Sequence, residues 1–396
     1  MLSKLVSNKW TCGAIPALCL HVSIGSVYCW SLLKANISES IGFSVGMTEW
    51  AFSLAIFFLG MSAAFCGNMV EKNVKFSSLL STTFFTIGMI GTGFSIIYNS
   101  LIGLYLSYGL VMGIGLGIGY LTPVKTLMLW FKDNKGLATG IAITGFGLAK
   151  VIASPVIEQL QQTFSIDKIF FILGGVYFIL MMIGSFLIKK PEESKIHKGE
   201  KIGLKKSISI ILNPTYICIW VVFFLNITCG LALISQEKAI ISSLGIVSGI
   251  GTIAALTAFF NSFGRFGYST LSDRYKDRTT VYKIIFFTCF LACITSFIIG
   301  ISQSALFLPL VLILTLFITN LGYGGGFSTL PSLLADKFSI KNVSIIHGFC
   351  LSAWAWAGLI GNNLGFYIVN NFNINILFLV LSVLYLISLY ITTKIK

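Results

Sequence analysis

Apolar stretches long enough to cross a bilayer recur from one end of this chain to the other. They fall roughly at 10–33, 45–69, 76–98, 101–131, 136–159, 167–188, 211–235, 246–271, 281–301, 305–332, 344–369 and 374–393. A helix needs about 20 such residues to cross about 30 Å of hydrocarbon. The chain is 56% hydrophobic and only 10% charged, where a soluble domain carries about 25% charged residues. The pattern predicts an all-α polytopic membrane protein of twelve transmembrane helices with no soluble domain.

The formal net charge of +14 suggests nucleic acid at first sight, but its distribution argues against that partner. Of the Lys and Arg residues, 21 fall at the termini or in loops on one side of the predicted bundle and three on the other. This is the positive-inside pattern, so both termini are expected in the cytoplasm, in a plasma or inner membrane. Attraction to anionic lipid comes second. All nine cysteines lie in apolar stretches and none forms a cluster with metal-ligand spacing, so no metal and no cofactor is expected. The first stretch is too long for a signal-peptide core, so no cleavable leader is expected.

Arg265 is the sole charge between Ile246 and Leu271. Counted back from Asp273 it lies about 12 Å inside the hydrocarbon. A cation there costs at least about 2.5 kcal/mol, so it normally faces a polar cavity and has a task. A guanidinium suits bidentate capture of a carboxylate. The plainer reading is a structural arginine tying helix carbonyls together. Lys150 lies mid-segment and is a candidate second cation, with a structural role as the alternative. Lys125, nearer a segment end, is expected to snorkel. No Asp or Glu lies deep in any predicted segment, which argues against simple proton-driven symport. His21 is the imidazole placed to carry a proton, against a plainer packing role.

The longest polar stretch, Lys189–Lys206, follows six segments and precedes six. It divides the chain into an N-terminal six-helix bundle (1–188), a cytoplasmic linker (189–210) and a C-terminal six-helix bundle (211–396). Gly67-x-x-x-Glu71-Lys72-x-x-Lys75 follows the second segment, and Ser269-x-x-x-Asp273-Arg274-x-x-x-Arg278 follows the eighth. Gly115 to Phe131 also parallels Gly322 to Phe338, at an offset near half the chain, as in a duplicated unit. The every-second glycines 113 to 119 sit inside an apolar helix, so close helix packing explains them better than a nucleotide loop.

These features resemble the major facilitator superfamily, which implies two pseudo-symmetric six-helix bundles. In that resemblance Gly67, Glu71, Lys72, Asp273 and Arg274 form the conformational-gate motif, although the family's expected glycine is replaced by Val74 in the first copy and is absent from the second. Gly25-Ser26-Val27-Tyr28-Cys29-Trp30-Ser31, the run Trp130 to Gly140, and Gly264-Arg265 with Ser272-Asp273-Arg274 are similar to the oxalate/formate antiporter and monocarboxylate transporter families. The resemblance gives Arg265 the role of binding substrate carboxylate, with Tyr28, Tyr120 and Trp354 lining the cavity. For Tyr323 and Trp356, lipid or core packing reads at least as well. Oxalate-type relatives place a second cation where this chain reads Ser352-Ala353-Trp354. One cation with a tryptophan suits a monoanion with an apolar body, or a zwitterion.

The expected function is therefore a secondary or facilitative transporter of small organic anions, chiefly monocarboxylates. It is expected to act as a monomer in the lipid bilayer and to be no enzyme. The rival is a non-transporting membrane receptor or scaffold descended from a transporter, suggested by the eroded loop motifs and the missing cation.

Overall fold

The computed structural model describes residues 8–131, 135–191, 209–246, 249–302, 307–338 and 343–395. They form twelve helical spans. The first six are α1 (Trp10–Ile41), α2 (Val45–Lys72), α3 (Val74–Ile97), α4 (Leu101–Trp130), α5 (Lys135–Thr163) and α6 (Ile166–Leu187). The second six are α7 (Pro214–Ser243), α8 (Ile250–Ser272), α9 (Thr279–Ser302), α10 (Leu308–Phe338), α11 (Val343–Cys350 continuing as Ser352–Asn371) and α12 (Ile374–Thr392). Most of the expected linker, and the Lys132–Asn134 part of the run between α4 and α5, lie outside the described residues.

Ten of these helices are long and apolar enough to cross a membrane. The two that fall short are α8 and α11, and the reason is local. Asn261, Ser262, Arg265 and Ser269 on α8, and Asn362 on α11, are all buried inside the protein. Polar residues lower the hydropathy of a helix that faces a polar interior, not lipid.

The turns are specified by caps. Ser44 accepts from the Met47 N–H at the start of α2, Asn73 from Phe76 at α3, and Asn213 from Thr215 at α7, where Pro214 also sits at the first position. Each satisfies an N–H that the helix start leaves unpaired. At the far end of α1, Gly42 takes φ +71°, a left-handed stop that favours glycine.

Two helices of the first half are irregular. The middle of α1 tightens to a 3-10 turn over Gly25–Cys29, which carries Tyr28. A π-helical stretch spans Tyr105–Met112 in α4. Such interruptions occur often at functional positions. The expected end of the seventh span at 235 is corrected: α7 runs to Ser243, which brings Glu237 inside the helix. The polar run Ser235-Gln236-Glu237 looked like an exit from the membrane, but all three are buried.

The halves meet along α5 with α8 and α2 with α11, with further contact between α5 and α10 and between α1 and α7. The approach is close. A Cβ built at Gly60 on α2 would lie 2.4 Å from the Ala355 nitrogen on α11, so that crossing needs glycine. Contact runs the length of the interface. Phe65 meets Phe349 near the face that carries the termini, and Lys34 donates to the Ser235 carbonyl at 2.8 Å near the opposite face. The halves therefore touch near both faces, and Arg265 and Trp354 between them are 0% exposed.

Candidate functional site

Four cations are buried among the described residues: Lys34, Lys125, Lys150 and Arg265. Three have carboxylate partners. Lys34 lies 2.9 Å from Glu49, Lys125 lies 3.4 Å from Glu71, and Lys150 pairs with Glu237. Arg265, 0% exposed, has no carboxylate partner among the described residues. Its Nε donates to Asn261 Oδ1 at 2.7 Å, one helical turn earlier on α8. Its two terminal nitrogens make no hydrogen bond of full geometry, although Tyr28 lies close beside the guanidinium.

Aromatic rings enclose this cation. The guanidinium carbon lies 5.5 Å from the Phe146 ring centre and 5.1 Å from that of Phe327. Such contacts contribute about 0.5–2 kcal/mol each, less than the several kcal/mol that an unpaired buried charge costs. Trp354 packs edge-on against Phe327, Tyr120 and Phe146, with ring centres at 4.6, 5.1 and 5.8 Å. Trp354 Nε1 and the Tyr120 hydroxyl are buried without hydrogen-bond partners. An unmet buried polar group costs about 1–3 kcal/mol. Two guanidinium nitrogens, an indole N–H and a phenol hydroxyl thus gather in one aromatic box without a carboxylate among the described residues.

The sequence-predicted residues fall as follows. Arg265, Tyr28, Tyr120 and Trp354 come together between the halves. Tyr28 Oη lies 2.6 Å from Tyr323 Oη, a bond from α1 to α10 that joins the two halves. Tyr323, 0% exposed, therefore packs in the core beside Tyr28 and does not face lipid, while Trp356, 47% exposed, lies on the outer surface. Lys150 lines a small neighbouring cavity with Tyr28, Asn261 and Asn320, but it is not a free second cation. It is bound to Glu237, which also accepts from the Thr257 hydroxyl. The expected segment ended before Glu237, but Glu237 lies inside α7 and is buried at 1% exposure, as is Glu49 at 0%.

His21 is fully buried at the back of the box. Its ring stacks on Tyr120 at 5.5 Å, Nδ1 faces the Ala142 carbonyl, and Nε2 lies 3.1 Å from the Tyr120 carbonyl. It links α1 to α4 and α5. A second imidazole, His347 on α11, is also buried, so His21 does not stand alone. Phe146, Phe327, Asn261 and Glu237 were missed in the sequence. Asn261 had a signal, because it stands four positions before Arg265 on the same helix face.

The gate motifs lie at the face that carries the termini. Lys125 reaches that end of α2, donating to the Gly67 carbonyl at 2.9 Å and to Glu71. The Glu71 carbonyl also accepts from Lys190. In the second copy Asp273 is held by Arg278, the last basic residue of the motif: Arg278 Nη1 lies 2.8 Å from Asp273 and Nε 2.6 Å from Asp336. Partial burial opposes the charge of Arg278, but these carboxylates outweigh it and raise its pKa. Lys72 has no carboxylate partner among the described residues.

Residues 17–361 match the Major Facilitator Superfamily. The oxalate:formate antiporter of Oxalobacter formigenes is 26% identical, over 98% of this chain and 92% of its own length. An uncharacterised MFS-type transporter of Escherichia coli (strain K12) is 25% identical over 84% of this chain and 82% of its own. Monocarboxylate transporter 12 of Mus musculus is 28% identical over 40% of this chain and 32% of its own. The chain belongs to the Major Facilitator Superfamily, a family of membrane transporters.

Proposed function

We propose that this superfamily member carries small monocarboxylates by alternating access, with Arg265 as the carboxylate anchor. One observation carries the reading: of the four buried cations, Arg265 lacks a carboxylate partner, and it shares its box with unmet donors on Trp354 and Tyr120. A bound carboxylate supplies what the site lacks, one negative charge and acceptor oxygens. The rings of Phe146, Phe327 and Trp354 then cover the apolar body of the substrate. Because Arg265 belongs to the second half and Tyr28 and Tyr120 to the first, one small anion bridges the halves. Its binding favours the closed form, and its release on either face lets the halves rock apart.

The Lys and Arg bias supports placing both termini in the cytoplasm. On that orientation Lys34 and Glu49 lie toward the outside, and the Gly67 and Asp273 motifs lie inside. The division between the halves falls in the linker stretch 189–210. The test is counterflow of labelled pyruvate in vesicles holding the purified full chain. Accumulation of label against preloaded unlabelled pyruvate is expected, and a receptor or scaffold gives none.

A further inference from the structure

Lys150 and Glu237 form a second charged element beside the anion box. Lys150 comes from α5 in the first half and Glu237 from α7 in the second, so the pair joins the halves. The cavity that Lys150 lines is also lined by Tyr28 and Asn261, and both of these adjoin Arg265. Arg265 does not itself line this cavity, but Tyr28 and Asn261 stand between it and Lys150, and of the two cations Lys150 is already neutralised. With the pair intact, the charged groups facing this region sum to the single positive charge of Arg265. A monoanion balances that charge without disturbing the pair.

A dicarboxylate needs a second cation, and Lys150 lines the cavity next to Arg265, across Tyr28 and Asn261. To release Lys150, Glu237 must give up its charge, because an unpaired carboxylate at that depth is costly. We propose that Glu237 is a proton-accepting specificity residue, so that a dicarboxylate crosses together with one proton while a monocarboxylate crosses without one. This rests on the Arg265 reading. A proton from water joins a Glu237 carboxylate oxygen as Lys150 turns to the second substrate carboxylate. When the substrate leaves on the other side, Lys150 returns to Glu237 and the proton passes to water. The dianion with its proton moves one net negative charge, the same as a monoanion alone.

The groups facing Glu237 suit this exchange. From α5 there is Lys150, from α8 the Thr257 hydroxyl, and from α1 the Cys29 thiol. Lys34 approaches the preceding turn of α7 through the Ser235 carbonyl, but it is held by Glu49. Thr257 can remain bonded to a neutral carboxyl.

The test uses full-length protein in vesicles with trapped pH dye, with oxalate as the dianion and pyruvate as the monoanion. Both stay fully ionised between about pH 6 and pH 8, so their own protonation does not intervene. Oxalate uptake should rise toward acid outside pH by up to about tenfold per pH unit, the slope of one obligatory proton. It should acidify the lumen by one proton per oxalate, and pyruvate should not. Glu237→Gln mimics the protonated form, so its oxalate uptake should lose both pH dependence and acidification. Should that variant fold poorly with Lys150 unpaired, Lys150→Met/Glu237→Gln removes both charges and should lose oxalate competition. Oxalate uptake without protons, unaltered pH dependence in Glu237→Gln, or no oxalate binding by the wild type would each overturn the proposal. Arg265→Gln separates the two ideas: wild-type pyruvate uptake in that variant refutes the anion box itself, whatever Glu237 does.

Discussion

Replacing Arg265 by Gln separates a ligand-binding arginine from a structural one, because the two make opposite predictions for stability. Among the described residues the guanidinium has one hydrogen bond of full geometry, to Asn261, and its terminal nitrogens, beside Tyr28, have none. If a carboxylate takes both, each charge-assisted bond contributes about 1.5–3 kcal/mol. The pair then contributes about 3–6 kcal/mol, or roughly 10²- to 10⁴-fold in affinity. Arg265→Gln should weaken pyruvate competition for exchange by that factor. Arg265→Lys keeps the charge but loses the fork, and should lose about half of the energy. Stability should move the other way. Gln removes a lone buried charge whose burial costs several kcal/mol, so the Tm of the ligand-free variant should hold or rise despite the lost Asn261 bond. Pyruvate should then stabilise the wild type and not the variant. A variant with a lower Tm and unchanged pyruvate affinity would refute the reasoning, since Arg265 would then be a tie between helices.

Trp354→Lys should place a second cation in the box and improve oxalate competition against pyruvate by about tenfold, the effect of one charge-assisted bond; the same variant should need its accompanying proton less, which dye-loaded vesicles would show. Tyr28→Phe removes the 2.6 Å bond to Tyr323 that joins the halves, and should lower the Tm by the loss of about 1 kcal/mol while speeding opening, read as faster cysteine labelling of Cys29, which is buried in the closed form. Gly60→Ala should disfavour the closed form by about 1–3 kcal/mol through overpacking against the Ala355 backbone, measurable as slower pyruvate exchange. Asp277→Asn tests the loop before α9. Partial burial opposes the Asp277 carboxylate, but hydrogen bonds from the Thr279 hydroxyl and N–H outweigh it and hold the carboxyl below its ordinary value. That contribution is present above the unfolded pKa and is lost as pH falls through the folded one, so the substitution should lower the Tm at neutral pH and make little difference in acid.

The architecture was legible in the sequence because membrane physics leaves few choices. Apolar runs of helical length and a one-sided distribution of Lys and Arg are both read directly from residue order. Arg265 was legible for the same reason, as a lone charge stands out against an apolar background. Its cage was not. Phe146 and Phe327 each look like one more phenylalanine in a lipid-facing helix, in a chain with 34 of them, and only the crossing of α5, α8 and α10 turns them inward. Tyr323 was ambiguous because its partner, Tyr28, lies 295 positions away.

Glu237 shows where a hydropathy rule fails in a systematic way. A polar run near the end of an apolar stretch is normally where a helix leaves the membrane, and Ser235-Gln236-Glu237-Lys238 has that look. The run stays inside because its polar groups are paired: the Ser235 carbonyl accepts from Lys34, Glu237 binds Lys150 and Thr257, and Gln236 donates to the Ser235 hydroxyl on the same helix. Burial of polar groups is tolerable once they are paired, and the pairing is long-range information that a local window cannot hold. The same residues decide whether the chain reads as proton-independent. With Glu237 outside the helix, deep carboxylates are absent and a proton-independent exchanger follows. With Glu237 beside the cavity, a titratable group faces the second cation, and dependence on protons becomes a property of the substrate's charge. A fixed exchanger predicts one pH profile for all substrates, whereas this arrangement predicts two, flat for pyruvate and rising in acid for oxalate.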